Sequence, residues 1–341
     1  HGHALRLQEK TIASALKQAG YATGHFGKWH LNGLRGPGAP ILDEDPYGPK
    51  GFGFETWMTV TNFFDLDPLM GSAQGVHQFK GDSSEIIVNQ ALSFITKQKD
   101  AEKPFLAVIW DGSPHSPFEA SQEDIAPFKD LDKNSQRHYA ELVAFDRSVG
   151  VLRKALRDLD IADNTMVWFC SDNGGLPKIK PTTVGNLRGN KGTVYEGGLR
   201  VPAILEWPAG IKPRITKYPS STMDIFPTIA DLLGLPQDNF LKPVDGESLK
   251  ALFTKDLKRR ENAIPFRYQT KGALVDNNFK LVASNVQKNA FALYDLATDP
   301  GEARDISKES TEQFQKMTAH YLKWYQSVED SIAGKDYPGN F

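Results

Sequence analysis

The chain has 341 residues, with 40 Lys and Arg against 42 Asp and Glu, and 40% apolar against 24% charged residues. This is ordinary globular composition; the net charge of −2 argues against a dedicated nucleic-acid binder, and no run approaches the about 18 consecutive apolar residues of a membrane span. The single cysteine, Cys170, excludes an internal disulfide and a cysteine-based zinc site, and the length allows about two domains at roughly 150 residues each.

His1-Gly2-His3 is neither an initiator methionine nor an export signal, so the sequence is expected to begin inside a longer gene product or after processing. Thr11 to Ala19 predicts a helix with Ile12, Ala15, Leu16 and Ala19 on one face, stopped by Gly20. A short strand from Tyr21 to Phe26 then runs into Gly27-Lys28-Trp29-His30. From Leu31 to Phe79 the text is rich in Gly, Pro, Asp and aromatics and reads as a long irregular surface region. Asp82-x-x-Glu85 has the form of a capping box, opening a helix to about Lys97 with Ile87, Ala91, Phe94 and Ile95 inward. Pro104 to Asp111 is a continuous apolar run, the signature of a strand covered on both faces. Ser135 to Leu159 predicts a long amphipathic helix carrying Leu142, Val149, Leu152 and Leu156. Strands are expected at Thr165 to Ser171 and Pro202 to Trp207, and a helix from Met223 to Leu233 closed by Gly234.

Apolar strands alternating with helices predict an α/β domain with a largely parallel sheet. After about Glu261 the texture changes to short, turn-separated strands at Ala273 to Val275, Lys280 to Ala283 and Ala292 to Asp295, then a helix from about Thr311 to Val328. The expected division is therefore a catalytic α/β domain over residues 1–260 and a C-terminal α+β subdomain, a small antiparallel sheet plus helix, over 261–341.

Sites in open α/β sheets form beyond the carboxyl ends of the strands. Three polar clusters follow strand-like segments there: Lys28-Trp29-His30, Ser113-Pro114-His115-Ser116-Pro117-Phe118 and Asp172-Asn173-Gly174-Gly175. A fourth, Asn186 to Thr193, is a glycine-punctuated basic loop containing Lys191. Each cluster alone reads as well as a turn, a solvated lysine or a satisfied histidine, and Cys170 inside its apolar strand reads as core filling. Their combination is what carries chemistry. Asp and Asn oxygens are hard ligands for Ca²⁺ or Mg²⁺, lysines are point charges for an anionic oxygen, and histidine moves a proton. A divalent cation and lysines around one point suit cleavage of a sulfate or phosphate ester.

Gly20-Tyr21-Ala22-Thr23-Gly24-His25-Phe26-Gly27-Lys28-Trp29-His30 resembles the second signature of the type I, formylglycine-dependent sulfatases of the alkaline phosphatase superfamily, with Phe26 where a small aliphatic residue is commoner. His115-Ser116-Pro117-Phe118, Ser171-Asp172-Asn173-Gly174 and Leu187 to Pro202 agree in order and content, and Leu293-Tyr294-Asp295-Leu296 with Asp299-Pro300-Gly301-Glu302 resembles the family's C-terminal subdomain. The resemblance implies an alkaline-phosphatase-like, mostly parallel sheet flanked by helices. It also implies that Asp172 and Asn173 are two calcium ligands and that Lys28 and Lys191 hold sulfate oxygens. By the same resemblance His115 assists the leaving group or binds sulfate, and His30 handles the hydroxyl proton of the hydrated aldehyde.

The family's upstream acidic pair and its Cys/Ser-x-Pro-x-Arg, the source of the formylglycine nucleophile, do not occur here. With an incomplete Ca²⁺ site and no nucleophile, this chain alone is expected neither to hydrolyse sulfate esters nor to bind calcium tightly, whereas the full-length parent would do both. Loss of a central strand is expected to expose apolar sheet edge. The competing expectations are a phosphodiesterase or phosphonate monoester hydrolase of the same superfamily, and a non-catalytic relic that binds sulfated glycans. For the partner, a sulfated small molecule or glycan is expected. Asn62 to Asp67 and Trp110-Asp111 supply aromatics and carboxylates of the kind that hold sugars, although Phe63, Phe64 and Trp110 also read as core packing. A periplasmic or secreted location is implied by the family alone.

Overall fold

The computed structural model describes residues 4–62 and 64–337; His1 to His3, Phe63 and Pro338 to Phe341 lie outside the described residues. Contacts divide the chain into two compact units, His1–Thr165 with Gln237–Phe240, and Met166–Pro236 with Leu241–Phe341.

The first unit begins with α1 (Ile12–Gln18), capped by Thr11, whose hydroxyl accepts from the Ser14 amide while the Ser14 hydroxyl accepts from Thr11 N. Its buried face is Ala13, Ala15 and Leu16. β1 (Ala22–Lys28) follows and is the best-covered strand of the unit, although it reads Ala-Thr-Gly-His-Phe-Gly-Lys. Polar residues are tolerated there because they are paired: Thr23 donates to the Gly53 carbonyl at 2.7 Å, and His25 Nδ1 bonds the Thr59 hydroxyl at 2.9 Å. Gly27 is required. Its φ is +105°, and a Cβ there would lie 2.0 Å from the Trp110 carbonyl oxygen.

The stretch from Leu31 to Phe79 is not the irregular surface region expected from its composition. It holds β2 (Thr56–Val60), β3 (Leu69–Ser72) and β4 (Gly75–Gln78). β2 is short and lies between Gly/Phe-rich turns, and β3 carries a glycine, so neither presents the run that marks a strand. Gly71 of β3 is pressed against Ile41, where a Cβ would meet backbone at 2.3 Å.

α2 (Ser83–Asp100) is capped by Asp82, which accepts from Ser84 N at 2.9 Å, and buries Ile87, Ala91, Phe94 and Ile95 as expected. Glu85 turns to Arg147 instead of closing the box. β5 (Phe105–Trp110) completes a five-stranded sheet in the order β4-β3-β2-β1-β5, with β1 parallel to both β2 and β5 and with antiparallel β3 and β4 extending one side. β5 is half-buried along its length, not covered on both faces, because it sits at the end of that order.

α3 (Gln122–Ile125) leads to α4 (Lys133–Asp158). Of the four apolar residues expected to line α4, only Leu156 is buried, and its inward face is instead Ser135, His138, Ala140, Glu141, Ala144 and Ser148. Small and polar residues line this helix where an apolar stripe was expected.

In the second unit β6 (Val167–Cys170) pairs antiparallel with β7 (Ala203–Glu206), with α5 (Glu196–Leu199) between them in sequence. α6 (Ile225–Leu233) ends at Gly234 in the left-handed conformation, as its position after the helix predicts. The C-terminal sheet is a four-stranded antiparallel meander, β8 (Ile264–Tyr268), β9 (Lys271–Asp276), β10 (Phe279–Asn285) and β11 (Ala290–Asp295), followed by α7 (Thr311–Ile332). β8 was missed in the sequence, its Pro265 and Arg267 masking the alternation. Leu274, Leu281 and Leu293 pack on Met317 and Tyr321 of α7, forming the core of this part.

Candidate functional site

The first unit carries Lys28, His30 and His115. Because β1 and β5 are parallel neighbours with Gly27 opposite Trp110, the segments Lys28-Trp29-His30 and Asp111 to Phe118 leave the sheet side by side at its carboxyl edge. Trp29 anchors the first of these. It is 2% exposed, donates Nε1–H to the Tyr47 carbonyl at 2.7 Å, meets His25 edge-on and stacks on Trp110. The amides of Trp29 and His30 donate to Val60 and Thr61 carbonyls, each at 2.8 Å, extending the contact with β2 past the end of the strand. With the indole locked inward, the flanking Lys28 is left half-buried and His30 exposed, the latter at φ +54°. His115 sits in a turn closed by its own amide on the Gly112 carbonyl at 3.2 Å, and its Nδ1–H donates to Ser116 O at 2.6 Å. That bond selects the tautomer and makes Nε2 the nitrogen that gains or loses a proton.

Near this edge the unit buries carboxyl groups that the sequence only half disclosed. Asp65, from the Asn62 to Asp67 loop, and Asp111, at the end of β5, are each pushed up to about 7 by burial, with neighbouring acids adding to the shift. Glu141 of α4 is pushed up to about 9 by burial, reinforced by Asp65, and one of its oxygens accepts from the Glu119 amide at 2.7 Å. Glu141 therefore holds its proton at neutral pH, while Asp65 and Asp111 are poised to gain or lose theirs there. Glu141 was missed entirely; the signal was a polar residue three positions after His138 and three before Ala144, on the helix face that turns inward. Of the aromatics, Phe64 is buried as core packing, Trp110 is 42% exposed, and Phe63 lies outside the described residues.

The second unit carries Asp172, Asn173 and Lys191. The turn after β6 is tied by the Ser171 hydroxyl donating to the Asn173 carbonyl at 2.9 Å, and Asn173 Nδ2 donates to Asp172 Oδ1 at 2.9 Å. Asp172 is exposed at the tip. The basic loop is laced to this turn by two backbone bonds, Lys191 N to Gly175 O at 2.9 Å and Gly174 N to Gly198 O at 3.0 Å. Glycine makes that approach possible: a Cβ on Gly174 would lie 1.9 Å from the Gly197 carbonyl oxygen. Two clusters that are separate in sequence thus share one seam, with Lys191 half-buried beside it. Cys170, just before the turn, has its thiol pushed up by burial and by the Asp172 charge, which makes it a poor nucleophile and agrees with a packing role.

Asp172 and Asn173 offer a hard carboxylate oxygen and an amide oxygen, a donor set that suits calcium or magnesium and not a soft metal. Two side chains meet only part of calcium's need for about six to eight oxygens. Among the described residues no group of three or more His, Cys, Asp or Glu could hold a metal ion by itself.

Residues 2–235 match the family described as Sulfatase, and residues 189–328 match the family described as N-sulphoglucosamine sulphohydrolase, C-terminal. The chain is 31% identical over 261 residues to N-acetylgalactosamine-6-sulfatase of Canis lupus familiaris, covering 70% of this chain and 48% of that protein. It is 26% identical to N-acetylgalactosamine-6-O-sulfatase of Bacteroides thetaiotaomicron over 90% of this chain and 75% of that one. The chain thus spans about half the length of the first of these relatives and three quarters of the second. A solved structure described as Ps i-CgsB in complex with k-i-k-neocarrahexaose superimposes with a TM-score of 0.81 at 24% identity, over 95% of this chain and 76% of that chain, a likeness of fold.

Proposed function

The chain belongs to the sulfatase family, and we propose that it takes part in hydrolysing a sulfate ester carried by a carbohydrate. The observation that supports this most is the seam in the second unit, which sets the ammonium-bearing loop of Lys191 against a turn of hard oxygen donors. Relatives named as N-acetylgalactosamine-6-sulfatase in Canis lupus familiaris and N-acetylgalactosamine-6-O-sulfatase in Bacteroides thetaiotaomicron favour a sulfated amino sugar or a glycan containing one.

In this proposal Lys28 and Lys191 bind the non-bridging sulfate oxygens, giving the charge complementarity that a transferring sulfuryl group needs. Lys191 also lies close to the leaving oxygen, where charge develops as the S–O bond breaks. His115, held by Ser116 O through Nδ1, gives the proton to that oxygen from Nε2. His30, exposed past the anchored Trp29, would take the hydroxyl proton of the hydrated aldehyde when sulfate is expelled. Asp172 and Asn173 would hold a calcium ion, which supplies further neutralisation of sulfate charge. The nucleophile of the family, a hydrated formylglycine, has no precursor motif in this sequence, so these residues bind, orient and move protons without supplying the attacking group. The division into a catalytic domain over 1–260 and a C-terminal subdomain over 261–341, and a periplasmic or secreted setting where sulfated polysaccharide is met, belong to the same proposal. No helix among the described residues is long and apolar enough to cross a membrane.

Release of inorganic sulfate by the full gene product from an aryl sulfate and from 6-sulfated N-acetylgalactosamine tests this directly. Turnover is expected on both, falling by about 100-fold in Lys191→Ala. Preference for a phosphate diester, or binding of sulfated glycans without release, would assign the protein elsewhere.

A further inference from the structure

The two faces of the C-terminal sheet do different jobs. One carries Leu274, Leu281, Ala283 and Leu293 against α7. On the other, Ala273, Val282 and Tyr294 surround Val194, which comes from the same loop as Lys191. Lys280 projects on this second face, two residues before Val282 in β10, with no exposure to solvent. Its ammonium lies 2.8 Å from Glu196 Oε1 and 2.9 Å from Glu302 Oε1. The second Glu302 oxygen accepts from the Glu196 amide at 2.7 Å, and the Glu302 carbonyl accepts from Arg188 at 2.7 Å. The Arg188 guanidinium in turn covers the Tyr195 ring at 3.9 Å. Lys280 and the Asp299-Pro300-Gly301-Glu302 turn thus grip residues 188 and 196, and Lys191 lies in the span between them.

A buried lysine with two carboxylates is a poor way to add stability, since apolar residues of the same volume do as well or better. What it adds is geometry, because each buried oxygen must meet its donor. We propose that Lys280 and Glu302 are positioning residues for Lys191: the buried bridge Glu196–Lys280–Glu302 sets the conformation of loop 188–199 and hence the point at which the Lys191 ammonium is delivered. Its consequence for turnover rests on the role given to Lys191 above; the placement of the loop does not.

Hydrogen–deuterium exchange with peptide resolution separates these two levels. In Lys280→Met, peptides spanning Gly174 and Lys191 should accelerate at least about tenfold more than those of β9, β10 and α7, over and above any change the fall in global stability imposes on all of them. Glu302→Gln, which keeps shape and removes one charge, should give an intermediate acceleration and guards against a Lys280 variant that fails to fold. In the full gene product, kcat on an aryl sulfate should fall about 10- to 100-fold in Lys280→Met with KM little changed. Unchanged exchange at the seam, or loosening of the whole sheet together, overturns the proposal. So does a loosened seam with unchanged kcat when Lys191→Ala is impaired. If Lys191→Ala itself turns over normally, the catalytic role of Lys191 falls, and the exchange result still decides whether Lys280 sets the loop.

Discussion

The two units each bury a cluster of carboxyl groups, and they neutralise it by opposite means. In the second unit Glu196 and Glu302 meet the ammonium of Lys280, and all three side chains are at most 10% exposed. In the first, burial pushes Asp65, Asp111 and Glu141 toward protonation, Glu141 to about 9, and the nearby acids Asp82 and Glu119, with Asp65 acting on Glu141, add to the shifts. One cluster is settled by a lysine and the other by protons. The first should therefore break by substitution and the second by alkali.

The largest effect is expected from Lys280→Met, which leaves two carboxylates buried without their cation. Denaturant unfolding should show a loss of about 3–5 kcal/mol. Replacing Glu196 and Glu302 by Gln in the same protein should recover much of it, because the uncompensated charge is then gone.

The pH dependence comes next. Between the ordinary carboxyl range and the raised values of about 7 and 9, the folded first unit binds more protons than its unfolded chain. The contribution is fully present below about pH 4 and is lost as pH rises through 7 to 9, so stability falls toward alkali. Glu141→Gln should remove the part of this slope that lies between about pH 7 and 9, stabilising the protein by about 1–3 kcal/mol at pH 9 and changing little at pH 5. A gain of equal size at both pH values would show that charge is not the cause.

At the small end is Lys154→Ala. Its partner Asp158 lies one helical turn away and both side chains are more than half exposed, so the loss should stay below about 0.5 kcal/mol. A loss above 2 kcal/mol would mean that exposed and buried pairs do not differ here as argued.

Much of this was legible in the sequence, for reasons that differ by region. α1, α2 and α6 show both their caps and their apolar spacing, and all three were placed within a few residues. β2 through β4 were illegible because their stability comes from neighbours: β2 lies beside the buried β1, and Gly71 of β3 fits only because Ile41 backbone presses on it. The polar clusters at strand ends were legible as motifs, and the two in the second unit do share a seam. Lys280 was not, since a lone lysine at the start of a strand gives no sign of the two glutamates, 84 residues before it and in a later turn, that meet it inside the fold. Glu141 was hidden for the same reason: burial is decided by what α4 packs against, not by the helix itself.

The proposal on which the rest depends is that Lys28 and Lys191 act on one sulfate group. A double-mutant cycle on the full gene product measures this, with kcat/KM for an aryl sulfate determined for wild type, Lys28→Ala, Lys191→Ala and the double variant. Two cations on one anion should give strongly non-additive losses, with a coupling of about 1–3 kcal/mol. Losses that simply add, within about 0.5 kcal/mol, would contradict it.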